Sequence, residues 1–520
     1  LLLAACATPT VSPTPTTPTG TATPAPKASP TPTPTPISKL TPQYGGTLRI
    51  IRTRVGSFGY PLTETAGDRQ VAMPAQERVL EEQSDGSPRA SLAMAWKIAP
   101  DLKSLTLTLR KGVKFHDGTA LNATSAKWNF DKVMVGKKEG TESWTSIDVI
   151  DDYTVRINLS GFQNIVTNYL ASAAGTMVSP TAVEKNGADW ARLNPVGTGP
   201  FKFVSYTQDV NLKYESFDGY WGGKPYLDGV EYVFIQDAQT RLMSFLKGDG
   251  EVLLAPEPKD MAELKAKGYQ VIAGESSLDS LSNFFPDSVN PDSPFKDKRV
   301  RQAVEYAIDK EAIVKALGYG YWRAAYQFIP ADHPSGYNSD IQGRRYNPSK
   351  AKELLAAAGY PKGFKTTLTV AESSEAWSAI ATNLKEVGIE ALIEVGSRAR
   401  RSEMDQKGWK NGLIEGPLGG VTNWNFHLVK MLSPDSPRWV STLRPPGWRE
   451  ALNAALASPD PSTAKKATQN AVKFLYEEAV SLPLWSTAQI RALKPNVHDT
   501  GLLTSGHTFT WTPEKAWLSK

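Results

Sequence analysis

Residues 104–130 run SLTLTLRKGVKFHDGTALNATSAKWNF. From Ser104 to Arg110 apolar and hydroxyl side chains alternate, the period of a strand with one face buried. Gly112 breaks the run, Val113 and Phe115 resume it, and His116-Asp117-Gly118 reads as a turn. The same alternation returns at Thr154–Leu159, behind a turn at Asp151-Asp152. Upstream, Tyr44-Gly45-Gly46 opens a short strand through Ile50. Downstream, Asp228-Gly229 precedes a strand over Val230–Ile235. Helices come between. Asn347 caps one, Pro348 fits its first turn, Ala351, Leu354, Leu355 and Ala358 make one face, and Gly359 ends it with Pro361 beyond. Val300, Ala303, Val304, Ala307 and Ile308 predict another that starts near Asp297. Strands and helices mix without strict βαβ alternation or internal repeat, so the class is α/β or α+β with several sheets.

The chain has 520 residues, of which 40% are hydrophobic and 21% charged, so its body is globular. After the first 43 residues about 475 remain, too many for one core, which predicts two or three lobes. A net charge of +5, from 58 basic and 53 acidic residues, argues against a dedicated nucleic-acid binder. Fourteen tryptophans leave room for an aromatic-lined cleft beyond what the core uses. No G-x-S-x-G, H-E-x-x-H, P-loop or dinucleotide fingerprint points to an enzyme. The five histidines show no metal-ligand pairing, and no cofactor is expected.

The front of the chain is different. Leu3-Ala4-Ala5-Cys6 holds the only cysteine, and a tract of Thr, Pro, Ala and Ser follows to about residue 43. An apolar run, small residues and then cysteine look like the cleavage point of a bacterial lipoprotein signal. Residues 1–6 are then expected to be a signal remnant ending at a lipid-bearing Cys6. Residues 7–43 are expected to be a tether, because proline bars helix and sheet and there is little apolar surface to offset ordering entropy; the same Thr/Pro composition also allows a glycosylated stalk. At 3.1 Å per residue such a spacer reaches at most roughly 100 Å from a membrane.

The blocks along the body resemble one family. Leu92-Ala93-Met94-Ala95-Trp96 with 105–130, Asn194–Phe201 (NPVGTGPF), Phe217–Pro225 (FDGYWGGKP) and Pro294–Ala303 (PFKDKRVRQA) occur in the order of the bacterial extracellular solute-binding protein family 5. That family serves ABC importers of oligopeptides, dipeptides and nickel. The resemblance implies an α/β, two-lobe periplasmic-binding-protein fold with a ligand cleft between the lobes and an extra subdomain in lobe I. It places lobe I at 44–75, 195–278 and 487–520, the subdomain at 76–194, and lobe II at 279–486. Hinge strands are expected near 278–284 and 483–489. The partners implied are a small-molecule, peptide or oligosaccharide ligand, ABC permease subunits and, through Cys6, a membrane. The protein is expected to act as a monomer.

In peptide-binding members of that family a late segment of lobe II carries an aspartate for the peptide ammonium. The corresponding stretch here is Glu415–Phe426 (EGPLGGVTNWNF), with Gly419, Gly420 or Val421 at the aspartate position. A buried ammonium without a carboxylate is costly. Binding of peptides with a free N-terminus is therefore put in doubt, unless Glu415 substitutes from a shifted position. Asn423, Trp424 and Asn425 instead offer amides beside a flat apolar face, which suits an oligosaccharide or a modified peptide. Phe58 and Tyr60 follow the first strand, where the family's loop enters the cleft, and Trp322 and Arg323 follow a glycine-rich turn; all four are candidate lining residues. His427, near the same segment, keeps a nickel-type chelate as an alternative, and a surface structural or chaperone-like role is another.

Overall fold

The computed structural model describes residues 41–64, 66–83, 85–503 and 511–520. Cys6 and residues 7–40 of the expected tether lie outside the described residues.

Thr47–Arg52 is an inner strand of a seven-stranded mixed sheet. It runs parallel to Gly229–Phe234 on one side and Val252–Leu254 on the other. Leu48 and Ile50 enter one core with Phe58, Phe201 and Tyr232, while Ile51 enters another with Phe245, Leu253 and Ala492. Apolar side chains on both faces are what an inner strand needs, and TLRIIR supplies them.

The 104–130 stretch builds a separate four-stranded antiparallel sheet of Ala93–Ile98, Ser104–Leu109, Thr154–Leu159 and Trp144–Asp151. Leu105, Leu107 and Leu109 are buried and share a core with Ala126, Phe130 and Val133 of the helix Ala123–Val135. That helix starts with a reciprocal cap: Ser125 N–H donates to Asn122 Oδ1 and Asn122 N–H to Ser125 Oγ, each at 2.9 Å. The turn between strand and helix also ties the motifs together. His116 N–H donates to Gly197 O (2.9 Å), and its ring Nε2 bonds Gly199 O (2.9 Å). Both glycines are required by close approach: a Cβ would lie 2.1 Å from Ala75 O at Gly197 and 2.5 Å from Pro74 O at Gly199.

A six-stranded sheet has the order Trp322–Ala324, Leu482–Thr487, Ser280–Pro286, Gly412–Glu415, Phe364–Val370, Ile389–Val395. The chain passes between the seven- and six-stranded sheets at two adjacent places. Gln270–Ala273 leads into Ser280–Pro286, and Leu482–Thr487 leads out to Ile490–Leu493. Within each sheet the incoming and outgoing strands are antiparallel neighbours. Gly274 N–H to Gln489 O and Gln489 Nε2 to Ser280 Oγ, both 2.8 Å, tie the two crossings to each other. Paired, adjacent crossings between two sheets are a place where such a molecule can hinge.

Candidate ligand-binding cleft

Glu415–Phe426 runs beside the crossing strand Ser280–Pro286. Gly416 N–H donates to Asn283 O, and Leu418 and Leu281 exchange both backbone bonds, all at 2.8 Å. Beyond Val421 the segment turns and clasps the 76–194 region. Thr422 Oγ1 donates to Glu82 Oε2 (2.7 Å), Asn423 Nδ2 to Asn168 Oδ1 (3.3 Å) and Asn425 Nδ2 to Asn164 Oδ1 (3.5 Å), while Lys430 pairs with Glu139 (2.8 Å). A cleft of about 560 Å³ opens beside these contacts, lined among others by Trp96, Phe162, Asn164, Asn168, Asn423 and Asn425.

Two neutral histidines hold the loop's carbonyls. His427 Nε2 bonds Gly419 O and His333 Nε2 bonds Val421 O, both at 2.7 Å. Ser335 N–H and Oγ lie at 3.2 and 2.9 Å from His333 Nδ1, which makes Nδ1 the acceptor and Nε2–H the donor. Burial pushes these rings down to about 3 for His427 and about 4 for His333. Burial has the opposite sign for a carboxyl: it pushes Glu82 up to about 7, against the bonds from Thr422 and Asn168 and the charges of Arg78 and Arg69.

The predicted site residues divide sharply. Asn423 and Asn425 reach the cleft wall. Trp424, between them, has no exposed surface and packs against Phe328, His333 and His427. It precedes the helix Asn425–Leu432 with its ring wholly inside the core, so it offers no stacking face. Phe58 is likewise in the seven-stranded sheet's core, edge-on to Tyr206 at 5.1 Å, and Tyr60 is buried with Val178, Val183 and Ala191. The loop after the first strand turns both rings into the core and away from the cleft.

Glu415 pairs with Phe284, whose ring belongs to the core of Trp377 and Trp485, whereas Leu281 and Phe285 enter the other core. Cross-strand partners share a face. Glu415 thus lies on the opposite side of the sheet from Leu418, where it accepts Ala371 N–H (2.9 Å) near Arg401, and it does not replace the missing aspartate. Trp322 is half-buried, with its ring stacked on Trp485 at 5.3 Å. Arg323 is exposed, 3.9 Å from Asp279. His427 is spent on Gly419, and among the described residues no group of three His, Cys, Asp or Glu is placed to hold a metal ion.

Sequence reasoning missed Glu82, Asn164 and Asn168, which meet the clasp only through tertiary contacts. It also missed polar groups along the crossing strand. Ser277 Oγ, Asp279 Oδ1 and both amide atoms of Asn283 are buried without a hydrogen-bond partner. For Asp279 and Asn283 the signal was present: DSLSN places polar residues just before and within a strand that continues as FFP.

Comparison with known proteins agrees with this geometry. Residues 87–431 match the profile described as bacterial extracellular solute-binding proteins, family 5 middle. The glutathione-binding protein GsiB of Salmonella choleraesuis is 31% identical over 420 residues, covering 76% of this chain and 79% of that protein. Among solved structures, the Helicobacter pylori protein DppA in complex with the peptide STSA has a TM-score of 0.82 at 24% identity, over 92% of this chain and 99% of that one. AgaA of A. tumefaciens R10 in complex with agropinic acid has a TM-score of 0.78 at 25% identity, over 91% and 99%. The chain belongs to the bacterial extracellular solute-binding proteins of family 5.

Proposed function

We propose that this protein captures a peptide-like solute between its two lobes outside the cytoplasm and delivers it to the permease of an ABC importer. The observation that carries the reading is the pair of adjacent crossings between two separate sheets, with the Glu415–Phe426 segment laid along one of them. Relatives that bind glutathione or a short peptide support the class of ligand. The oligosaccharide reading needed Trp424 as a stacking face, and a fully buried ring does not provide one. The moving bodies are lobe I (44–75, 195–278, 487–520) with its subdomain (76–194), and lobe II (279–486), working as a monomer.

A ligand that prefers the closed arrangement shifts the equilibrium by that preference, and a nearly complete swing takes about 5.5 kcal/mol. Small-angle scattering with and without reduced glutathione or trialanine is expected to show a smaller radius of gyration in the bound protein. An unchanged radius with calorimetrically tight binding would reject lobe closure. The same proposal includes anchoring through a lipidated Cys6, supported by Leu3-Ala4-Ala5-Cys6 and the Thr/Pro tract. Cys6→Ala is expected to move the protein from the membrane to the soluble fraction with its body still folded; retention on washed membranes would count against the anchor.

A further inference from the structure

The missing aspartate of the Glu415–Phe426 segment has a counterpart across the sheet. Leu281 and Leu418 face each other in an antiparallel bridge. Asp279 stands two residues before Leu281, in extended backbone at the end of the turn Ser276–Leu278. Strand alternation puts Asp279 on the face of Leu281. The bond from Ser486 Oγ to Asp279 Oδ2 (3.1 Å) agrees, because Ser486 pairs with Leu281. The carboxylate therefore lies on the same side of the sheet as Leu418, the side Glu415 does not reach.

Asp279 is 1% exposed and poorly compensated. Ser486 satisfies one lone pair of Oδ2, while Oδ1 has no partner. Its cation is the Arg323 guanidinium, at 3.9 Å and with a side chain 45% exposed. Charge-assisted bonds close to about 2.7–2.9 Å, so this is a loose pair through a solvated group. Burial accordingly pushes the Asp279 carboxyl up to about 6, with Arg323 and Ser486 pulling it back only in part. A carboxylate held this way costs the fold stability, the pattern of a group kept for a ligand. It is not alone: Ser277 Oγ, two residues before it, and the Asn283 amide further along the strand are also buried and unpartnered.

We propose that Asp279 receives the cationic group of the ligand, so that the solute taken up carries a free primary ammonium, as an unblocked peptide or γ-glutamyl peptide does. The proposal rests on binding between the lobes and names the ligand chemistry of that site. The ammonium takes the place of the absent partner of Oδ1. Asn283 and Ser277 supply neutral hydrogen bonds to the rest of the ligand.

Calorimetry with trialanine, N-acetyl-trialanine and maltotriose, on the wild type and Asp279→Asn, tests this. The wild type is expected to favour trialanine over its acetylated form by at least tenfold. Asp279→Asn should lose that preference by weakening trialanine binding alone. The thermal midpoint of the ligand-free protein gives a second readout. It should rise or hold in Asp279→Asn, since an uncompensated charge is removed, and should fall if the carboxylate is only a structural partner of Arg323. An unchanged preference in Asp279→Asn overturns the proposal, as does wild-type preference for N-acetyl-trialanine or maltotriose. If the wild type binds none of the three probes, the midpoint decides: a fall in Asp279→Asn overturns the proposal and a rise supports it. Failure of lobe closure would show separately, as an unchanged scattering radius with a probe bound.

Discussion

Trp424 shows how one residue's role depends on what its neighbours do with the backbone. Asn423 and Asn425 line the cleft and bond Asn168 and Asn164, while Trp424 between them is sent into the core. Its loss is therefore a core deletion. Trp424→Ala is expected to destabilise the fold by about 3–5 kcal/mol, as large aromatic truncations do, while affinity measured on the surviving folded fraction changes little. Denaturant unfolding beside calorimetry separates the two; full stability with a large affinity loss would restore the stacking role. The buried arginine Arg301 makes a similar point. A basic residue inside a signature block, it donates to the carbonyls of Phe295, Lys296, Glu478 and Ala479 and so staples a helix to the loop behind it.

At the scale of elements, the local signals were strong wherever burial had one period. Thr154–Leu159 forms the strand that its alternation predicts, residue for residue. The helix Pro348–Ala357 starts at the Asn347 cap, which accepts Lys350 N–H at 2.9 Å, and is followed by Gly359 at φ +93°. The helix Lys298–Ala307 likewise starts at the Asp297 cap. Pairing between elements was not legible. Thr47–Arg52 lies between strands 180 or more residues further along the chain, and no local pattern encodes such partners. The clasp is harder still, because Thr422 and Glu82 meet across 340 residues.

At the scale of the whole molecule, buried titratable groups set how stability responds to pH. Burial raises Glu77 and Glu82 to about 7, so between the ordinary carboxyl range and pH 7 the folded state binds more protons than the unfolded one. Their contribution to stability therefore falls as pH rises through that window. Glu77 faces Trp221, Thr198 and Tyr220, and Glu82 faces Thr422, Asn168, Arg78 and Arg69. His116, His333 and His427 work the other way. Burial lowers them to about 4, 4 and 3, so the unfolded state binds more protons below the ordinary histidine value, and stability is lost as pH falls from about 6.5. The thermal midpoint is expected to fall as the pH drops below about 6.5, where three histidines outweigh two glutamates. Glu82→Gln should steepen that fall, because between about pH 5 and 7 it removes a group that holds its proton in the folded state. An unchanged difference between the Glu82→Gln and wild-type midpoints from about pH 5 to 7 would contradict a buried, protonated Glu82.

What the sequence determined by itself is what local spacing and residue chemistry carry: the two periodicities, the helix caps, the required glycines, and the order of blocks that marks the family. The resemblance to that family also set Gly419, Gly420 or Val421 where a carboxylate was expected. Which polar residue faces which cavity belonged to the tertiary structure alone. Side-chain direction there is set by cross-strand register: the pairing of Glu415 with Phe284 turns one carboxylate away, and the bridge of Leu281 with Leu418 brings Asp279 to the other side. Register between segments more than a hundred residues apart is fixed by burial of both sheet faces at once, and no stretch of the chain contains that condition by itself.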